Sequence, residues 1–163
     1  MRALQAQYHE RVAIAVYLSK AGCQVAERYQ VLTLLQKSFP RVQVEVDANT
    51  PFLAGAVQVG AFDFLVIAPA TSNTVAKIAI GIADSLLSNA ASMALKAFVP
   101  VYIQPSDYEE GVTVTTLPDG RELRLKIRRE DVAYVKALTA MEGVSVLGAL
   151  DDLRQVFHRH FGS

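Results

Sequence analysis

The chain has 163 residues, 52% of them hydrophobic and 20% charged, which suits one folded domain with a single sizeable core. Its 16 basic residues balance 16 acidic ones, so the basic excess that nucleic-acid binders use to displace phosphate counterions is missing. The apolar content excludes a disordered chain, and the one cysteine, Cys23, excludes an internal disulfide framework. No Cys/His set has zinc spacing, so no metal site is expected. Met1–Gln5 lacks an apolar signal core. The most apolar stretch, Ile78 to Ile103, is broken by Asp84, Asn89, Lys96 and Pro100, which argues against a membrane span. A soluble, cytoplasmic protein is the expectation.

In chain order, Arg2–His9 reads as a short helix, and Val12–Leu18 is a continuous apolar run of the kind that forms a strand covered on both faces. Ser19-Lys20-Ala21-Gly22 breaks it, and a helical segment over Cys23–Phe39 follows. Val42, Val44 and Val46 alternate with polar residues, as in a strand near a sheet edge. Thr50 and Pro51 read as the N-cap and first residue of a helix. Phe64–Ala68 is the clearest central strand. A helix then begins at Thr71–Thr74, with Val75, Ile78, Ala79, Ile82 and Leu86 on one stripe. Leu86–Ala97 predicts a further helix and Val99–Ile103 the next buried strand. This alternation predicts parallel strands in a three-layer α/β domain.

Beyond Pro105, Val112–Thr116 and Leu123–Ile127 flank the turn Pro118-Asp119-Gly120 and predict a β-hairpin excursion over about residues 111–128. Leu123, Leu125 and Ile127 share one face; Arg124, Lys126 and Arg128 share the other. A helix near Asp131–Ala140, a strand over Val144–Leu147 and a helix near Asp151–His160 complete a single domain, residues 1–163.

Ligands of open parallel sheets bind at the carboxyl ends of strands, where helix N-termini gather. Ala68-Pro69-Ala70-Thr71-Ser72-Asn73-Thr74 lies at such an end and sets three hydroxyls and an amide beside unpaired helix N–H groups, a composition suited to a phosphate or a polar ring edge. The same residues also suit a merely well-capped helix. There is no Gly-x-Gly-x-x-Gly, no phosphate loop ending in Gly-Lys-Ser/Thr and no Gly-x-Ser-x-Gly elbow, which disfavours nicotinamide binding by the usual route, ATP hydrolysis and serine hydrolysis. His9, His158 and His160 read as solvent-facing. Cys23 sits near a helix start, where the helix dipole lowers a thiol pKa, although a lone thiol is more often a small core residue. The stripe Arg124, Lys126, Arg128 suits an acidic partner or simply the wet face of a hairpin.

The run Ala68-Pro69-Ala70-Thr71-Ser72-Asn73-Thr74 through Lys77, Gly81 and Asp84 closely resembles the Pro-Ala-Ser-Ala-Asn-Thr…Lys-x-Ala…Gly…Asp signature of the FMN-binding flavoprotein superfamily, which includes cysteine decarboxylases. Val99–Asp107, Glu109-Glu110-Gly111 and Leu117–Arg121 resemble its dihydromethanopterin reductase and archaeoflavoprotein branch. The resemblance implies a Rossmann-like, flavodoxin-like fold and an FMN site contacted by Ser19, Ala68, Pro69, Thr71, Ser72, Asn73 and Thr74. Lys77 and Asp84, at signature positions, would support the site or a subunit interface. It further implies a homo-oligomer, a trimer or a multiple of trimers.

Where decarboxylases of the superfamily carry a catalytic histidine, this chain reads Asn49-Thr50-Pro51-Phe52, and their clamp cysteine has no counterpart; both disfavour a phosphopantothenoylcysteine decarboxylase-like activity. Members also begin with a strand and small-residue loop ahead of the chain's own first strand, so the family's first strand is expected to be lacking. The function implied is an FMN-dependent oxidoreductase reducing a pterin-type C=N bond, with a ferredoxin-like or reductase electron donor and no catalytic residue assigned. The alternatives are a ferredoxin-linked electron-transfer flavoprotein and a non-catalytic oligomeric scaffold.

Overall fold

A computed structural model describes residues 2–149 and 151–162. The elements run α1 (Arg2–Tyr8), β1 (Ala15–Leu18), α2 (Lys20–Arg28), α3 (Leu32–Ser38), β2 (Arg41–Val44), α4 (Leu53–Gln58), β3 (Leu65–Ala70) and α5 (Ser72–Ile80). They continue with α6 (Leu86–Lys96), β4 (Val101–Pro105), β5 (Gly111–Thr116), β6 (Glu122–Ile127), α7 (Arg129–Thr139), β7 (Val144–Val146) and α8 (Asp152–Phe161). No helix among the described residues is long and apolar enough to cross a membrane.

The parallel strands fall into two groups. β1 pairs with β2, and β3–β4–β7 form a separate ladder, with no pairing between β1 and β3 among the described residues. Strand alternation divides the side chains of β3 and β4 between two cores. Ile67, Val101 and Ile103 join Leu53, Val57, Val75, Ile78, Leu86, Ala90, Ala94, Val135 and Leu138 on the face covered by α4 to α7. Val66 and Tyr102 turn the other way and meet Leu4 and Tyr8 of α1 and Leu153, Val156 and Phe157 of α8. Helices on both faces of a parallel ladder make three layers. Each fully buried Leu, Ile, Val or Phe contributes about 1.5–3 kcal/mol.

Several boundaries differ from the sequence expectation, each for a local reason. The single helix expected over Cys23–Phe39 is two, because Gln30 adopts a left-handed φ of 57° between α2 and α3. Thr50 and Pro51 do not open a helix. Thr50 closes a bridge with Asp47, and α4 begins only at Leu53, after Phe52, which provides no side-chain cap. The stripe through Ile82 and Leu86 ends early, since Gly81 at φ 79° stops α5 and Leu86 belongs to α6. β1 is half-buried rather than covered on both faces.

Four helix ends share one hydrogen-bond motif, in which a residue just past the helix turns left-handed and the next N–H reaches back five residues. Gly60 and Gly81 hold that position after α4 and α5, with Ala61 N–H reaching Ala56 at 3.0 Å and Ile82 N–H reaching Lys77 at 2.8 Å. Gln30 holds it after α2 and Phe98, at φ 59°, after α6, where Val99 N–H reaches Ala94 at 2.9 Å.

The expected hairpin forms as β5–β6, with Val114 opposite Arg124 and Thr113 opposite Leu125. Its strands are exposed on both faces except at Ile127. Its return into α7 is fixed by Arg128, whose Nε and Nη2 donate to Asp131 at 3.0 and 2.6 Å and whose backbone N–H donates at 3.1 Å. Asp131 is 6% exposed, and the Arg128 guanidinium holds its carboxyl below the ordinary value of 3.8. A lowered folded pKa means the stabilisation is present above the unfolded value and is lost as pH falls through the folded one. Asp131→Asn is expected to cost about 1–3 kcal/mol at pH 7. Chemical denaturation along a pH series should show the gap between the two proteins closing only below about pH 3.8.

Candidate functional site

β3 ends in a segment that leaves its own ladder. The register with β4 shifts between Ile67 and Ala70, leaving Ala68 and Pro69 exposed, and the Ala68–Pro69 peptide is cis. Ala70 is fully buried and rejoins β4 when Ser106 N–H donates to its carbonyl at 2.9 Å. Thr71 is then the N-cap of α5, its hydroxyl accepting from Thr74 N–H at 3.4 Å and lying 3.3 Å from the Thr74 hydroxyl. That cap leaves the N–H groups of Ser72 and Asn73 without a partner inside the helix, at its positive end. Asn73 is exposed, and its side chain makes no hydrogen bond among the described residues.

Asp107, in the loop after β4, braces this turn. Its carboxylate accepts from the Ser72 hydroxyl and, at 3.0 Å, from the Ser106 hydroxyl. The carboxyl end of β4 is thereby tied to the N-terminus of α5, and Ser72 points at Asp107. Next in the loop, Tyr108 has a buried Oη with no hydrogen-bond partner among the described residues, and burial followed by the Asp152 charge raises its pKa.

Ser19 follows β1 and caps α2, accepting from Gly22 N–H at 2.9 Å. Beside it, Glu45 extends from the end of β2. One carboxylate oxygen accepts from Lys20 N–H at 3.0 Å, and the other accepts from Leu86 N–H at 2.7 Å. A single anion thus satisfies the N-termini of both α2 and α6. Asn89 of α6 donates to the Ala48 carbonyl and to Asn49 Oδ1, each at 3.0 Å, fixing the loop before Thr50.

Of the residues singled out from sequence, Ala68, Pro69, Thr71, Ser72, Asn73 and Thr74 form one polar turn, and Ser19 occupies the equivalent strand end of the β1–β2 group. Lys77 and Asp84 lie elsewhere. The Lys77 ammonium, in the last turn of α5, contacts Asp84 at 2.8 Å, pinning the loop that follows the helix. Asp107 and Glu45 were missed as site residues because a lone acid beside a strand end is indistinguishable in sequence from a solvated one.

Other readings change. His158 is exposed as expected, but His160 is half-buried, stacked on Phe64 at 4.5 Å and sharing a 2.9 Å hydrogen bond with Tyr102. Its role is to pack α8 on the sheet. The Cys23 thiol is raised, not lowered, by burial and then by the Glu27 carboxylate. Arg128 leaves the expected basic stripe for Asp131, while Arg124 and Lys126 remain exposed.

The flavoprotein family model matches residues 1–117, from α1 through the polar turn and into the hairpin. The chain belongs to the flavoprotein family. It is 42% identical over 160 residues, 98% of its length, to an uncharacterized protein of Methanocaldococcus jannaschii, of which it covers 85%. It is 35% identical over 115 residues to the dihydromethanopterin reductase (acceptor) of the same organism; that match takes in 67% of this chain and 47% of the reductase. The chain therefore spans about half the length of that characterised relative. Among solved structures, Burkholderia xenovorans DmrB in complex with FMN, described as a cubic protein cage for redox transfer, superposes with a TM-score of 0.79 at 32% identity. The superposition covers 95% of this chain and 84% of DmrB, and it agrees with the Rossmann-like, flavodoxin-like expectation.

Glu45→Ala is expected to lower stability by about 2 kcal/mol, since two helix N–H groups lose a charged acceptor. Amide exchange should quicken at Lys20 and Leu86 and stay unchanged at Val101 and Ile103; uniform quickening would contradict the local role.

Proposed function

We propose that this chain is an FMN-dependent oxidoreductase whose flavin lies against the turn Ala68–Thr74. The observation that carries this reading is the exposed Thr71–Thr74 turn with unpaired N–H groups, in a flavoprotein-family chain 32% identical to DmrB with FMN. The donor set fits the cofactor. Free N–H groups at Ser72 and Asn73 and the unengaged Asn73 amide offer donors to a phosphate or to the polar edge of a flavin ring. When bound, the flavin supplies the two-electron chemistry.

The chain's own part is to bind and to orient. Thr71 spends its hydroxyl on Thr74, keeping the turn rigid, while Asp107 locks the Ser72 side chain. Asn73 stays available for recognition, and the exposed backbone of Ala68 and Pro69 gives a flat ring close approach. Ser19 contributes from the end of β1. Lys77 and Asp84 support the end of α5 through their ion pair. No side chain of the turn is a strong acid, so a proton for the reduced product comes from solvent or substrate.

The substrate class we favour is a dihydropterin-type C=N bond, on the strength of the relation to the M. jannaschii reductase, with a ferredoxin-like or reductase donor. A homo-oligomer is part of the same proposal, by relation to the DmrB cage.

The purified protein should show a flavin absorption spectrum near one FMN per chain after addition of FMN. Asn73→Ala should weaken FMN binding about tenfold, the scale of one lost hydrogen bond to a charged or strongly polar group, with unchanged melting temperature. Equal FMN affinity in variant and parent would remove Asn73 from the site. Absence of flavin binding by the parent chain would sink the oxidoreductase reading itself.

A further inference from the structure

No Lys or Arg occurs between Ala97 and Gly120, and none between Ala68 and Ala76, so the candidate turn and the loop that braces it hold no cationic side chain of their own. The loop does hold acids, and Asp107 touches the turn. Its Oδ2 accepts from the Ser72 and Ser106 hydroxyls. Among the described residues its Oδ1 accepts no hydrogen bond, and no ion pair reaches the carboxylate. Two neutral hydroxyls hold the carboxylate in place without cancelling its charge. Glu45, at the other strand end, is different, because both of its oxygens are taken by helix N–H groups. Lys77, on the same helix as Ser72, is spent on Asp84.

The balance of charge decides what the turn attracts. A helix N-terminus carries about +0.5 of an elementary charge, against a full negative charge on the carboxylate bonded to Ser72, the first residue of α5. The sum is negative, and Asp107 is half-buried, so salt screens it less than a surface charge. The unpaired N–H groups of Ser72 and Asn73 still donate hydrogen bonds, but to a neutral acceptor in preference to a doubly charged phosphate. On a flavin the neutral acceptors are the carbonyl oxygens at the polar edge of the ring. Reduction to the anion places negative charge on that edge, beside the carboxylate, where it is disfavoured.

We propose that Asp107 lowers the reduction potential of FMN bound at this turn, by disfavouring the reduced, anionic ring relative to the neutral oxidised one. Asp107 acts by holding a charge in place; it transfers neither a proton nor an electron. The lowered potential makes the reduced cofactor a stronger reductant toward its acceptor. This inference rests on the FMN reading above and adds the direction in which the chain tunes the cofactor.

Spectroelectrochemical titration of the FMN-loaded protein provides the test. Asp107→Asn keeps an acceptor for both serine hydroxyls and removes the charge. It should bind oxidised FMN within about twofold of the parent and reduced FMN about tenfold more tightly, which for a two-electron couple raises the midpoint potential by about 30 mV. Asp107→Glu retains the charge and should stay near the parent value. Asp63→Asn removes the same charge from the segment that enters β3, at the opposite end of that strand, and should leave the potential unchanged. An unmoved potential in Asp107→Asn, or an equal rise in Asp63→Asn, would overturn the local charge effect and leave FMN binding standing. Loss of FMN binding by Asp107→Asn would make Asp107 a brace alone and overturn it too. A parent chain that binds no FMN would remove the oxidoreductase reading first, and this inference with it.

Discussion

Glu45 is the group through which the two halves of the parallel architecture are joined. The ladders β1–β2 and β3–β4–β7 share no backbone pairing among the described residues, so their relative placement depends on side chains. Glu45 N–H donates to Leu18 at the end of β1, at 2.8 Å, while its carboxylate takes one N–H from α2 and one from α6. α6 in turn packs on β3 and β4. A carboxylate at two positive helix ends is favourable on dipole grounds as well as by hydrogen bonding, and its two oxygens fix the helices relative to each other. Asn89, one turn into α6, repeats the connection to the loop after β2. The carboxyl ends of β1 and β3, where Ser19 and Thr71 sit, are positioned by this set of contacts.

On the β3 side a second carboxylate has the corresponding task. Asp107 holds Ser72 and Ser106, so the turn that presents Asn73 is braced from β4 rather than left as a free loop. The candidate site is thus a polar turn with one rigid side and one open side. Rigidity at the first residues of α5 keeps the unpaired N–H groups aimed in one direction, which is what lets a short turn recognise an anion or a planar ring.

Much of this was legible from sequence because it rests on periodicity and local chemistry. The buried strands at Phe64–Ala68 and Val99–Ile103 follow from their apolar runs, and the helix start at Thr71–Thr74 and the Pro118–Gly120 turn follow from residue preference. The misses share a cause. Gln30 and Phe98 adopt backbone conformations usually given to glycine, so the break between α2 and α3 was invisible. Glu45, Asp107 and His160 act through partners 35 or more positions away or on another element, and spacing along the chain carries no trace of such pairings. The turn itself was identified by residue type, and its tie to flavin chemistry by resemblance; the structure adds that the Asn73 side chain makes no hydrogen bond among the described residues, while Lys77 and Asp84 pair with each other.

The division of the strands has a consequence for how the molecule loosens. Between Arg11 and Pro51 only Ala26 and Phe39 are buried hydrophobics, whereas β3, β4 and the helices around them hold the two dense cores. Backbone pairing does not couple the halves, so cooperativity between them is carried by a few side-chain contacts. By its small buried core, the segment of β1, α2, α3 and β2 is the part expected to open first while the other ladder stays formed. Breathing of that unit would move Ser19 away from a fixed Thr71–Thr74 turn, making the width between the two strand ends a fluctuating quantity set by local rather than global unfolding.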